Sequence, residues 1–137
     1  MGTDTKTKNL IRSGQVSSIN QKTGAVKVTF SDKDDMLSAE LPVLNRGSAN
    51  NKDYWLPDIG EQVVCIFAPN SKNLSCGWVL GSYFSETAPP QVADNDIRRM
   101  DFSDGTYVEY NRATHELNIN CVGTIKINGS KIYLNEG

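Results

Sequence analysis

The chain has 137 residues, 38% of them hydrophobic and 22% charged, and 14 basic against 16 acidic side chains leave a net charge of −2. That length suits one ordinary domain or a small domain with an appendage. The charge balance argues against a surface made mainly to hold phosphate backbones, and it is even along the chain, with 9 basic and 9 acidic residues in 1–90 and 5 and 7 in 91–137.

Residues 1–10 are polar, read as a flexible N-terminus, and lack the apolar core of a secretory signal. Residues 12–19 and 25–30 read as two strands joined through a turn at 20–24, with Val26, Val28 and Phe30 on one face and Phe30 looking inward. After the acidic turn 32–35, residues 37–44 make a third strand, in which Pro42 favours an edge or a break. The polar loop 45–53 precedes Tyr54 and Trp55. Residues 62–68 form the most hydrophobic strand, far short of the ~18 apolar residues needed to span a bilayer. A turn at 70–75 leads to a fifth strand at 77–84. Trp55 and Trp78 read as core or barrel-closing aromatics. Five strands in this space predict a small closed barrel, OB-like or SH3-like, because closure removes exposed edges.

Pro89 and Pro90 mark a semi-rigid boundary. The expected organisation is a barrel over 11–86, a linker over 87–98 and a distinct segment over 99–137. That segment reads as a meander of short strands, with Asp104-Gly105 as a hairpin signal between 100–102 and 106–110. Strands follow at 115–121, 124–128 and 131–135. The apolar pairs Leu117/Ile119, Ile125/Ile127 and Ile132/Leu134 recur at steps of 8 and 7 residues, each pair on one face. So narrow a stripe cannot be buried by the ribbon that carries it. It either packs on the barrel or meets identical stripes from other chains around one axis.

Three segments, residues 55–67, 77–83 and 102–115, occur in an order that resembles the phage baseplate assembly protein V family, the central spike of contractile tails, and is similar to the spike core of phage-tail-like bacteriocins and type VI secretion. The resemblance implies an all-β protein with an N-terminal OB-fold barrel and a C-terminal intertwined trimeric β-helix or β-prism. It further implies a homotrimer synthesised in the bacterial cytoplasm and assembled into the baseplate of a virion or tail-like particle. The barrel would attach to a baseplate hub protein, and the needle would lead into the target cell envelope on sheath contraction. Leu117, Ile119, Ile125, Ile127, Ile132 and Leu134 are then expected at the trimer axis, and Arg46, Lys52 and Tyr54 on a hub-docking surface. Many relatives end in a His-x-His motif that binds iron at the tip. This chain has one histidine, His115, so no such site carries over, and a separate tip-capping protein is one alternative.

Catalytic chemistry has little to draw on. A triad would have to use His115, expected at a strand entrance on the surface, and Asp32, Asp34 and Asp35 read as a solvated turn rather than an acid/base pair. Cys65, Cys76 and Cys121 suggest neither a disulfide framework nor a zinc site, and Cys65 reads as a small core residue. No enzyme activity, metal or cofactor is expected. The rival is a monomeric OB-fold module binding single-stranded nucleic acid or protein. Lys27, Lys33, Arg46 and Lys52 lie scattered among Asp32, Asp34, Asp35 and Asp53 rather than along a basic groove, so no nucleic-acid partner is expected.

Overall fold

The computed structural model describes residues 10–33, 35–69 and 74–135. The turns expected at 32–35 and 70–75 therefore lie partly, and the N-terminal segment 1–9 wholly, outside the described residues. The fold is all-β, with one short 3-10 turn at Ser31–Lys33. No described helix is long and apolar enough to cross a membrane. The chain divides into two compact units at Pro89/Pro90.

In the first unit, β1 (Ile11–Asn20) pairs antiparallel with β2 (Ala25–Phe30) and, on its other edge, with β5 (Gln62–Phe67). β5 in turn pairs with β6 (Gly77–Ser82), while β2 pairs with the short strands β3 (Met36–Leu37) and β4 (Leu41–Pro42). Val43, just past β4, meets Val79 of β6 in a parallel bridge. The pairing thus returns to its start through β1, β2, the β4 segment, β6 and β5.

Residues 37–44, expected as one strand, are two short pieces. Ser38 separates them: its hydroxyl accepts the Val28 N–H at 2.9 Å and donates to the Ala39 carbonyl at 2.7 Å, while the Ala39 N–H turns to the Leu74 carbonyl at 3.1 Å. A buried hydroxyl offers the backbone an alternative to the ladder.

Alternation places the core. Arg12, Gly14 and Val16 of β1 face in, as do Val26, Val28 and Phe30 of β2, and Val63, Cys65 and Phe67 of β5. An irregularity between Val16 and Ser18 shifts the register of β1 and lets Ile19 pack on the same core. Arg12 is buried yet charged because its stem lies inside while its guanidinium sits 4.6 Å over the Phe30 ring and reaches Asp32 at 3.0 Å.

Trp55 and Trp78 are not core residues, at 52% and 42% exposure. In β6 the inward positions are Gly77 and Val79, so Trp78 and Leu80 point outward. Gly77 has to be inward and small: a Cβ there would lie 2.4 Å from the Ile66 carbonyl oxygen and 2.6 Å from the Phe67 ring. Gly14 is held as tightly, with a Cβ falling 2.6 Å from the Thr29 oxygen and 2.7 Å from a Val28 methyl. Gly14→Ala is therefore expected to cost about 1–3 kcal/mol by overpacking, read as a lower urea midpoint. An unchanged midpoint would mean that β1 has room to move.

Burial pushes the Cys65 thiol up to about 11, with Arg12 acting weakly in the opposite sense. Stability tied to the neutral thiol is complete below the ordinary thiol pKa and is lost as pH rises through the folded value. In the folded protein, iodoacetamide at about pH 8 should modify the exposed Cys76 and leave Cys65 intact. Peptide mass spectrometry showing equal modification would contradict this placement.

The second unit is a three-stranded antiparallel meander of β7 (Ile97–Asp101), β8 (Tyr107–Asn111) and β9 (Glu116–Asn120). β7 begins at Ile97, two residues before the expected start of this segment, because Ile97 pairs with Asn111. The β7–β8 turn is held by Asp104, whose carboxylate accepts the Thr106 N–H at 2.9 Å and has its pKa lowered by hydrogen bonds from Thr106. His115 lies in the β8–β9 turn at φ 64°. Residues 124–128 and 131–135, expected as strands, form none within the chain. A strand is defined by its ladder, and among the described residues these segments have no paired neighbour.

Candidate assembly surfaces

The register of the second unit sorts its side chains onto two faces. On one, Met100, Val108 and Ile119 line up across the three strands, and Arg98, Tyr110 and Leu117 form the next row. On the other, Arg99 lies opposite Glu109 and Glu109 opposite Asn118, while Asp101, Tyr107 and Asn120 form a parallel row. Ordinary amphipathic packing would cover the apolar face. Here the order is reversed: Arg99, Asp101, Tyr107 and Glu109 are half-buried, and Met100, Val108, Tyr110, Leu117 and Ile119 are exposed.

The polar face covers itself. The Arg99 guanidinium donates to Asp101 at 2.8 Å and to Glu109 at 2.7 Å, and lies 3.8 Å over the Tyr107 ring. These hydrogen bonds, that to Asp101 first, raise the Arg99 pKa further. A second pair, Arg112 to Asp96 at 2.7 Å, ties the start of β7 to the end of β8. Charge-assisted contacts of this kind hold the ribbon without an apolar core.

Past β9 the chain goes on exposing apolar side chains. Ile125, Ile127, Ile132 and Leu134 are all exposed, so the six residues expected at an axis span 49% to 82% exposure in the single chain. Every described residue from 122 to 135 is exposed. Val122 donates to the Thr106 hydroxyl at 3.3 Å, fixing the point where the chain leaves the sheet. Val122 and Tyr133 add to the exposed apolar area. Exposed apolar side chains, when they gather into a patch, mark interaction sites.

In the first unit, Arg46 pairs with Asp53 at 2.9 Å across the loop 45–53, where Ser48 and Lys52 form an isolated bridge. Tyr54 is 72% exposed and follows this loop directly. Arg46, Lys52 and Tyr54 thus belong to one excursion of the chain. Sequence reading does not find the outward row that crosses this unit, Ile11 opposite Ile66 and Ile66 opposite Trp78. The available signal is the inward Gly77, which forces its neighbour out.

The donor set does not suit an iron site like that of the His-x-His family members, since the sequence holds a single histidine. Among the described residues, no three His, Cys, Asp or Glu side chains are grouped to hold a metal ion. Compared with protein-family models and with curated proteins, the chain matches none.

Proposed function

We propose that this chain is a structural subunit, the homotrimeric central spike of a contractile phage tail or tail-like particle, with no catalysis of its own. Its first unit acts as an OB-type barrel that attaches to a baseplate hub protein. Residues 99–137 from three chains intertwine into a stiff β-prism that leads into the target cell envelope when the sheath contracts. The subunit is made in the bacterial cytoplasm and assembled into the particle with protein partners, not nucleic acid.

The observation that carries this reading is the reversed second unit. The polar face is half-buried at β7 and β8, the apolar face is exposed, and the exposed Ile125, Ile127, Ile132 and Leu134 that follow have no strand partner among the described residues. Copies of the same stripe meeting at an axis bury it, and ladders between chains pair segments that one chain leaves single. The barrel assignment is supported by the circuit of pairings and by the parallel Val43–Val79 bridge that links its first and last parts.

Light scattering after size exclusion tests the reading. The full chain should elute at about 45 kDa, three times the 15.1 kDa chain. A truncated chain ending near Pro89 should be smaller in oligomer number as well as in length. A monomer over a wide concentration range would remove the spike.

A further inference from the structure

The sequence holds one Asn-Gly pair, Asn128-Gly129, and every other asparagine is followed by a residue with a side chain. Both residues are exposed and outside any ladder, and the chain bends directly after them at Ser130. Among the described residues, neither the Asn128 side-chain amide nor the Gly129 N–H has a hydrogen-bond partner. The three atoms nearest to a Cβ built on Gly129 belong to Lys131 and Ile132, its near neighbours in sequence, at 3.3 to 3.9 Å.

We propose that Asn128 is a site of spontaneous deamidation, with the backbone nitrogen of Gly129 as nucleophile and the side-chain amide as leaving group. The nitrogen attacks Asn128 Cγ, the new C–N bond closes a succinimide ring, and the Cγ–Nδ2 bond breaks. Nδ2 leaves as ammonia, with the proton that the backbone nitrogen has lost. Solvent water then opens the ring at either carbonyl, giving aspartate or isoaspartate with no change of oxidation state. A side chain on the following residue hinders the attack, and glycine carries none. Several other asparagines are held as well as hindered. Asn20 donates to Glu40 and accepts the Lys22 N–H, Asn111 accepts the N–H groups of Ala113 and Thr114, and Asn118 and Asn120 lie in the β9 ladder.

Asp104-Gly105 could close the same ring by losing water, but that route needs a neutral carboxyl group. Hydrogen bonds from Thr106 keep the Asp104 carboxylate ionised, and the Gly105 N–H donates to the Phe102 carbonyl at 3.1 Å. Gly129 and Ser130 fall between 124–128 and 131–135, the segments that ladders between chains would take up. The reacting nitrogen thus lies in their connection, and the inference holds for a monomer or a trimer. Isoaspartate routes the main chain through the side-chain carbon and lengthens the path from Ile125 and Ile127 to Ile132 and Leu134. Either product adds a negative charge at an exposed position.

The test uses the full-length protein, incubated at mildly alkaline pH and sampled over days beside a freshly prepared control. Trypsin releases residues 127–131 as one peptide, bounded by Lys126 and Lys131. Mass spectrometry with isoaspartyl methyltransferase labelling reads both products. Asn128 should convert before every other asparagine and before Asp104 isomerises. Its rate should lie within about tenfold of that in concentrated guanidinium chloride, because no hydrogen bond among the described residues holds it. Gly129→Ala, at an exposed position whose φ is not left-handed, should leave the urea midpoint unchanged and slow conversion at least about tenfold. Conversion led by another residue, a folded rate more than about tenfold below the unfolded one, or an alanine variant as fast as the wild type would each overturn the proposal.

Discussion

Ile127→Asp is expected to convert assembled protein to monomer, with light scattering mass falling to that of one chain. In the single chain Ile127 is 67% exposed, so the substitution costs the isolated fold little. In the proposed trimer each Ile127 would bury its side chain, worth about 1.5–3 kcal/mol per copy. Aspartate would lose that contribution and bring three carboxylates to the proposed axis, where desolvation alone costs several kcal/mol per ion. The two effects act in the same direction and are repeated three times. Lys126→Asp, on the adjacent residue of the opposite face, changes charge by more and should leave the mass at the trimer value. Dissociation in both variants would assign the effect to net charge. Dissociation in neither would place Ile127 away from any interface.

The strands of the first unit are readable because short apolar stretches are separated by turn residues. Residues 25–30 show a two-residue hydrophobic period and are a strand with the expected face inward, while the apolar run at 62–67 is a strand whose inward face, Val63, Cys65 and Phe67, its composition does not single out. Where reading fails, a local contact has replaced the period. Ser38 interrupts the expected strand at 37–44 through hydrogen bonds that no hydropathy pattern encodes. The size of Trp78 argues for the inside, while the close approach of Gly77 to the Ile66 carbonyl oxygen decides that it faces out. In the tail, alternation separates two faces but does not say which one is covered. The Arg99 network settles that locally, by drawing Asp101, Glu109 and Tyr107 together on the polar side. The expected strands at 124–128 and 131–135 need a partner, and a partner is not written in the segment itself.

The two units therefore hold together by different physics. The second relies on ladder bonds and on charge-assisted contacts at its surface, which salt screens. The first has an apolar centre of valines, leucines and a cysteine around two phenylalanines, Phe30 and Phe67, and its stability concentrates there.

Phe30 is the more deeply buried of the two, and Phe30→Ala should remove most of the stability of the first unit. The ring is fully buried and packs edge to face on Phe67, with centroids 5.8 Å apart and planes at 69°. Truncation of a buried phenylalanine costs about 3–5 kcal/mol through lost transfer energy and the cavity left behind. A further loss follows at Arg12, whose guanidinium rests 4.6 Å from the ring centroid and would be left partly buried over an empty site, held by Asp32. A small domain has about 5–15 kcal/mol in total, so the variant should unfold at a far lower urea concentration, followed by circular dichroism. Phe30→Leu keeps much of the volume but not the aromatic face, and should fall between the two. Should alanine and leucine cost the same, the ring's contacts with Phe67 and Arg12 would account for the loss. Were alanine to cost under about 1 kcal/mol, the core would be able to close over the missing ring, and the packing assigned to this unit would be wrong.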